Sequence, residues 1–222
     1  MIIKRKYNFI LELSSSAVKK LKPGGYREQI RTNTLDMVGP DKVLDKEEFK
    51  KTVIPAIKKL WESRGGECIA TALYREIKNQ QEILDLIKEE TGIDVKVISG
   101  MEEAELVGKA IQSQFPRAKK ILFIDSGTRS VEIGLLPEGY FKSYKKDRPL
   151  ILDNKIKDLK NDENLLIVIT GAAASKVKEP TLDPKIFKWH GKLQEVIRQI
   201  GIHPMVGSNA TPGAGYLINK QK

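Results

Sequence analysis

The chain has 222 residues, of which 40 % are hydrophobic and 31 % charged, and its 39 Lys and Arg against 29 Asp and Glu give a net charge of +10. That length can bury one core or two small ones, and no apolar run approaches the roughly 18–20 residues of a membrane span. A single cysteine, Cys68, excludes an internal disulfide and suits a reducing cytoplasm, and with only two histidines the chain argues against a zinc site.

The positive balance favours polyanionic partners such as nucleic acid, polyphosphate, nucleotides or an acidic protein. The lysines are spread along the chain, however, aromatics are only 6 %, and no specific nucleic-acid motif is present, so a Lys/Glu-rich, heat-adapted surface explains the charge equally well. The opening residues are basic, but Glu12 interrupts the apolar run Phe9–Leu13, which is too short for a signal peptide.

Tyr7–Leu13 reads as a first strand, followed by the polar loop Ser14-Ser15-Ser16 and a returning strand at Val18–Leu21. Pro23-Gly24-Gly25 marks a turn and Tyr26–Leu35 a third strand, which together make an antiparallel meander. Asp45 caps a helix, with Glu48 three residues on and an apolar stripe of Phe49, Val53, Ile57, Leu60 and Trp61 reaching Arg64, where Gly65-Gly66 stops it. A short strand at Glu67–Thr71 precedes a loop or short helix at Ala72–Asn79 and an amphipathic helix at Gln80–Thr91, closed by Gly92.

The stretch from Gly92 to Leu136 carries the chemistry. Ile93–Ile98 alternates as a strand, and Ser99 with Glu102 forms a capping box that opens a helix whose apolar face runs from Ala104 to Ile111. Up to that point the order of three strands, helix, strand, helix, strand, helix is the ribonuclease-H-like plan of actin-like and sugar-kinase lobes. Ile121–Ile124 is a continuous apolar run ending on Asp125, as in a strand buried on both faces. Ser126–Arg129 turns the chain, and Val131, Ile133 and Leu135 alternate back as a hairpin partner. One acid thus starts a helix and another tips a buried strand, two rigid supports for functional groups.

Beyond the hairpin, Lys142–Lys160 reads as a lysine-rich connection containing Pro149. Leu165–Ile169 is another buried strand, running into Thr170–Ala174, and Ile186–Ile200 is helical on Leu193, Val196, Ile197 and Ile200. Ser208–Gly215 is a small-residue loop before an apolar turn at Tyr216–Ile218, and no internal repeat is visible.

Three segments in this order and spacing resemble the exopolyphosphatase / guanosine pentaphosphate phosphohydrolase family of the actin-like ATPase superfamily. They are Ile69-Ala70-Thr71-Ala72-Leu73-Tyr74-Arg75-Glu76 with Asn79, then Gly92–Leu106, then Ile124–Ile133. The resemblance implies an α/β fold of two ribonuclease-H-like (actin-like ATPase) lobes, mixed sheets flanked by helices, with phosphates in the cleft and Mg²⁺ as cofactor. The lobes are expected at 1–115 and 116–222, the second abbreviated.

By that resemblance the catalytic base is Glu103, the second acid of the Ser-Gly-Met-Glu-Glu motif, and Asp125 helps place metal and water. Glu103 is also chosen locally: Glu102 serves the cap, whereas Glu103 turns about 100° away over a helix N-terminus that favours anions. Its plainer reading is a second acid favouring the helix dipole. Arg75 matches a cleft-facing arginine able to grip phosphate bidentately, with pairing to Glu76 or Glu82 as the plainer reading. Glu132 matches the acid that closes the second phosphate loop.

The chain departs from the family at its loops. Glu12-Leu13-Ser14-Ser15-Ser16-Ala17 stands where the family has DxGSNS, so Glu12 replaces the metal-placing aspartate and Ser14 a glycine, leaving Ser14 and Ser15 as phosphate contacts. Gly127-Thr128-Arg129-Ser130-Val131 stands for GGGST and loses two glycines that would allow close approach to phosphate. There Gly127, Thr128, Arg129 and Ser130 are the expected phosphate contacts, Arg129 either gripping phosphate or filling its site. Gly171-Ala172-Ala173-Ala174 stands for GGT(A), with Gly171 as a contact, and Glu105 replaces an arginine.

The expected function is hydrolysis of terminal phosphoanhydride bonds of inorganic polyphosphate or guanosine pentaphosphate, in the cytoplasm, without a membrane and with a homodimer as an open option. Lys142–Lys146 could guide the polyanion. The alternative is a degenerate homologue that binds nucleotide or polyphosphate as a sensor. A sugar-type kinase is disfavoured by the lack of an adenosine-binding Gly-Gly segment before a long helix.

Overall fold

The computed structural model describes residues 8–23, 27–62, 65–145, 148–171, 174, 177–187 and 191–221. The chain divides into two compact units, Met1–Ser99 with Tyr216–Lys222, and Gly100–Gly215.

In the first unit, β1 (Phe9–Leu13), β2 (Ala17–Leu21) and β3 (Arg27–Arg31) form the antiparallel meander. Next come α1 (Lys46–Leu60), β4 (Gly66–Ala70), α2 (Ala72–Glu76), α3 (Gln80–Thr91) and β5 (Val95–Val97). The sheet order is β3-β2-β1-β4-β5, with β4 and β5 added in parallel. Its core joins Phe9, Leu11, Leu13 and Val18 to Phe49, Val53, Ile57 and Leu60 of α1 and Ile83 and Ile87 of α3.

Local signals hold where expected. Asp45 caps α1 by accepting from the Glu47 and Glu48 N–H groups, and Gly92 ends α3 in the left-handed region at φ 73°. Two boundaries differ most. The third strand ends at Arg31, not Leu35, because Asn33 turns left-handed at φ 46° and Thr34–Met37 winds into a 3-10 turn, with the Thr32 and Thr34 hydroxyls bonded at 2.9 Å. Helix α1 stops at Leu60 because Trp61 takes an extended backbone and packs edge-on against Phe9, ring centroids 5.0 Å apart. Gly24 and Gly25 of the expected turn, Tyr7 and Tyr26 at the expected strand starts, and Arg64 lie outside the described residues.

The second unit holds α4 (Gly100–Gln114), β6 (Lys120–Ser126), β7 (Ser130–Leu136), β8 (Tyr140–Lys145), α5 (Asn154–Lys157), β9 (Leu165–Thr170), α6 (Gly191–Ile200) and β10 (Met205–Ser208). The last helix, α7 (Pro212–Gln221), starts here and belongs to the first unit from Tyr216. Helix α4 packs on β6, β7 and β8 and so groups with this unit, which moves the division from 115/116 to 99/100.

The second sheet runs β8-β7-β6-β9-β10, an antiparallel meander plus two parallel strands, the same plan as the first. Two mixed five-stranded sheets flanked by helices are the expected ribonuclease-H-like, actin-like ATPase architecture. What is short is the link after the third strand. The single-turn α5 and a 3-10 turn at Asp158–Asn161 stand where the first unit has the 15-residue α1.

Three expectations for this unit are corrected. The supposed connection from Lys142 begins inside β8, where Tyr140 and Tyr144 turn inward to the core. The supposed small-residue loop contains the end of β10 and the start of α7. The expected helix from Ile186 starts at Gly191, preceded by a 3-10 turn at Pro184–Phe187, with 188–190 outside the described residues.

Candidate active site

The register of the second sheet sets Ser143, Glu132, Asp125, Thr170 and Ser208 side by side, one from each of β8, β7, β6, β9 and β10. Partners in register project to one face. That face carries Phe123, Gly134 and Phe141 and receives α4, whereas Leu122, Ile124, Ile133 and Ile167 build the core behind it. A polar row therefore crosses the whole sheet beneath a helix.

Two glycines let the helix settle there. A Cβ on Gly134 would lie 2.2 Å from the Phe123 ring, and one on Gly108 of α4 2.8 Å from the Phe141 ring. With α4 seated this closely, Glu103 in its first turn is 7 % exposed and Glu132 below it 1 %.

The charges follow from that packing. Burial raises the Glu132 carboxyl well above the usual carboxylate range, the Glu103 and Asp125 carboxylates push it the same way, and the Ser130 and Ser143 hydroxyls oppose the rise. Ser143 Oγ donates to Glu132 Oε1 at 2.9 Å, and Thr170 Oγ1 donates to Asp125 Oδ1. Three acids thus share one site in which burial and two carboxylate neighbours hold the Glu132 carboxyl well above the range of an exposed glutamate.

A raised folded pKa means that the native state binds the proton more strongly than the unfolded chain, so Glu132 reduces stability as pH rises from the unfolded glutamate range towards its own folded value. Glu132→Gln is therefore expected to raise the urea midpoint in metal-free buffer at neutral pH and to flatten this part of the profile. The gain should fade below the unfolded glutamate pKa, about 4.3. Equal profiles for both proteins would show that the fold does not raise the Glu132 carboxyl.

The sequence-predicted loops divide. Gly127–Ser130 joins Asp125 to Glu132, and neither Gly127, Thr128 nor Arg129 has positive φ, so side chains stand at 128 and 129 without backbone strain. Thr128 is exposed, Arg129 half-buried and Ser130 buried. Gly171, immediately after Thr170, does have positive φ, 132°, with open space where a Cβ would be; Ala172 and Ala173 lie outside the described residues.

In the first unit, Ser14 closes its own turn, its hydroxyl donating to the Ala17 carbonyl at 2.9 Å and accepting from the Ala17 N–H at 3.2 Å. Ser15 is buried and its carbonyl accepts from Leu35 N–H at 2.9 Å. Arg75 Nη1 donates to the Ile98 carbonyl at 2.7 Å, tying α2 to the end of β5, and Glu82 pairs with Lys46. Lys142, expected to guide a polyanion, pairs with Asp153 at 2.6 Å, while Lys146 lies outside the described residues.

Thr170 and Ser143 are the site residues that sequence reasoning misses. Ser143 was hidden by reading β8 as a connection, although Tyr140, Lys142 and Tyr144 alternate with Phe141 and Ser143 after the Pro137-Glu138-Gly139 turn. Among the described residues no group of three or more His, Cys, Asp or Glu is arranged to hold a metal ion. Mg²⁺ commonly takes only one or two protein carboxylates alongside substrate phosphates, and half-buried Asp125 at a strand end fits that use. Glu12 does not fit, since its carboxylate is 1 % exposed and ion-paired with Lys19.

Comparison with known proteins bears on the family resemblance and on the fold. The model of the Ppx/GppA phosphatase family matches residues 59–144, which spans α2, Glu103, Asp125 and Glu132. An exopolyphosphatase from Cytophaga hutchinsonii superposes with a TM-score of 0.73 at 14 % identity, covering 95 % of this chain and 96 % of that one. The Ppx/GppA family member from Aquifex aeolicus gives 0.70 at 14 % identity, over 96 % of each chain. No curated protein sequence matches. No helix among the described residues is long and apolar enough to cross a membrane. The chain therefore has the fold of the Ppx/GppA phosphatases, and its sequence resemblance to that family lies in the segment that carries Glu103, Asp125 and Glu132.

Proposed function

We propose that the protein is a hydrolase of terminal phosphoanhydride bonds, acting on inorganic polyphosphate or guanosine pentaphosphate. The observation that carries this reading is the row of half-buried Asp125 and buried Glu132 beneath Glu103. In-line attack by water on a phosphoanhydride needs a carboxylate to orient the water or take its proton, with cationic and N–H groups around the phosphoryl oxygens. Glu103, at the N-terminal end of α4, serves as that base. Burial raises the Glu132 carboxyl, which lessens the repulsion an incoming phosphate would meet from a row of full carboxylates, and Thr170 fixes Asp125. Arg129 and the N–H groups of Gly127 and Gly171 hold phosphate oxygens. Bound Mg²⁺ would supply charge neutralisation at the phosphates, with Asp125 as its protein ligand.

The side chains at 128 and 129, in place of glycines, favour a second reading, in which the site binds polyphosphate without turnover. One experiment separates them. Phosphate release is followed from long-chain polyphosphate, guanosine pentaphosphate and p-nitrophenyl phosphate with Mg²⁺, beside a filter-binding assay for polyphosphate. Release from either anhydride, with the ester inert, is expected. Binding that saturates with no release from any of the three would establish the second reading.

A further inference from the structure

The two sheets share one plan, so their first hairpins can be compared position by position. In the second unit Ser126 faces Val131 and Asp125 faces Glu132; in the first, Leu13 faces Val18 and Glu12 faces Lys19. Asp125 and Glu12 thus hold equivalent places, two residues before the hairpin loop. Asp125 lies between Glu132 and Thr170, whereas Glu12 lies between Lys19 and Ile69. One register position therefore carries an acid pair in one unit and an ion pair in the other.

The ion pair is not a loose surface contact. Lys19 Nζ donates to Glu12 Oε1, and the two side chains are 16 % and 1 % exposed. The flanking loop is closed by Ser14 on Ala17 and by the Ser15 and Ser16 carbonyls, which accept from Leu35, Thr32 and Asn33. Nothing in this loop needs a metal to hold it. A dication on the Glu12 carboxylate would have to displace the ammonium and leave it partly buried beside a like charge, an arrangement that proteins avoid.

We infer that the β1–β2 loop of the first unit takes no divalent cation, the ammonium of Lys19 being the resident cation on Glu12. The acid there is Lys19's partner, so the equivalent hairpins differ in charge: a neutralised pair in the first unit, an acid row in the second. This assignment stands apart from the phosphatase reading, because it concerns metal occupancy and not turnover.

Manganese binding to the full chain, read from the loss of the free-ion paramagnetic signal at pH 8 in phosphate-free buffer, tests it. Glu12→Gln together with Lys19→Met removes both charges and leaves no buried unpaired ion; this double variant should bind Mn²⁺ within about twofold of wild type. Lys19→Met alone bares the carboxylate and should tighten or add Mn²⁺ binding by tenfold or more. A tenfold loss of Mn²⁺ in the double variant, or no gain in Lys19→Met, would overturn the inference. Phosphate release from the same samples reports separately on Glu103.

Discussion

Glu103→Gln is expected to lower phosphate release from polyphosphate by about 10²–10⁴-fold, the usual contribution of a positioned general base, while the protein stays folded. Glutamine keeps the volume and a hydrogen-bonding end but cannot take a proton. The fold should tolerate it because Glu103 is held by the seating of α4 on Phe123, Phe141 and Leu136, which the substitution leaves untouched. Removing one of the like charges around Glu132 should also ease ionisation of that carboxyl. Unchanged circular dichroism with a collapsed rate is the expected pair of results, and a parallel loss of both would assign Glu103 to structure.

The largest stability effect is expected from Phe123→Ala, at about 3–5 kcal/mol. That is a large fraction of the roughly 5–15 kcal/mol that holds a typical domain together. Phe123 is fully buried on the α4 face of the second sheet, its ring 6.2 Å from that of Phe141, and both Gly108 and Gly134 leave room for it. Alanine would leave a cavity under the helix that carries Glu103. The urea midpoint should fall steeply, and activity should fall in the protein that remains folded, because α4 loses part of its seat. Phe141→Ala, half-buried on edge strand β8, should cost less. Equal losses at the two positions would contradict a seat centred on Phe123.

Much of the fold is legible in the sequence because its signals are local. Helix α3 runs from Gln80 to Thr91 as read, since Ile83 and Ile87 mark its buried stripe and Gly92 supplies the left-handed residue that stops it. The Asp45 cap is equally direct. The misreadings lie where short elements carry atypical residues: Lys142 and Lys145 obscure the alternation of β8, β10 is four residues long, and α7 opens on Pro-Gly-Ala-Gly.

The acid row was legible only in part. Asp125 stands out because it ends an apolar run, and Glu103 because Glu102 already suits the cap. Their assembly depends on register: Thr170 meets Asp125 from 45 residues away, and Ser143 meets Glu132 across a hairpin read as a connection. Likewise, Glu12 looks like a metal ligand until β2 brings Lys19 opposite it. No local pattern encodes a cross-strand partner, so the side chains most specific to this chain come into view only with the sheets built.

The central claim is that water, oriented by Glu103 in the second unit, attacks the terminal phosphorus of a phosphoanhydride chain. Turnover of polyphosphate in heavy-oxygen water, with mass spectrometry of the released phosphate for wild type and Glu103→Gln, tests it most directly. The account predicts one solvent oxygen in each phosphate released by wild type and almost no labelled phosphate from the variant. Equal labelled release from both proteins, or unlabelled phosphate from wild type, would contradict it.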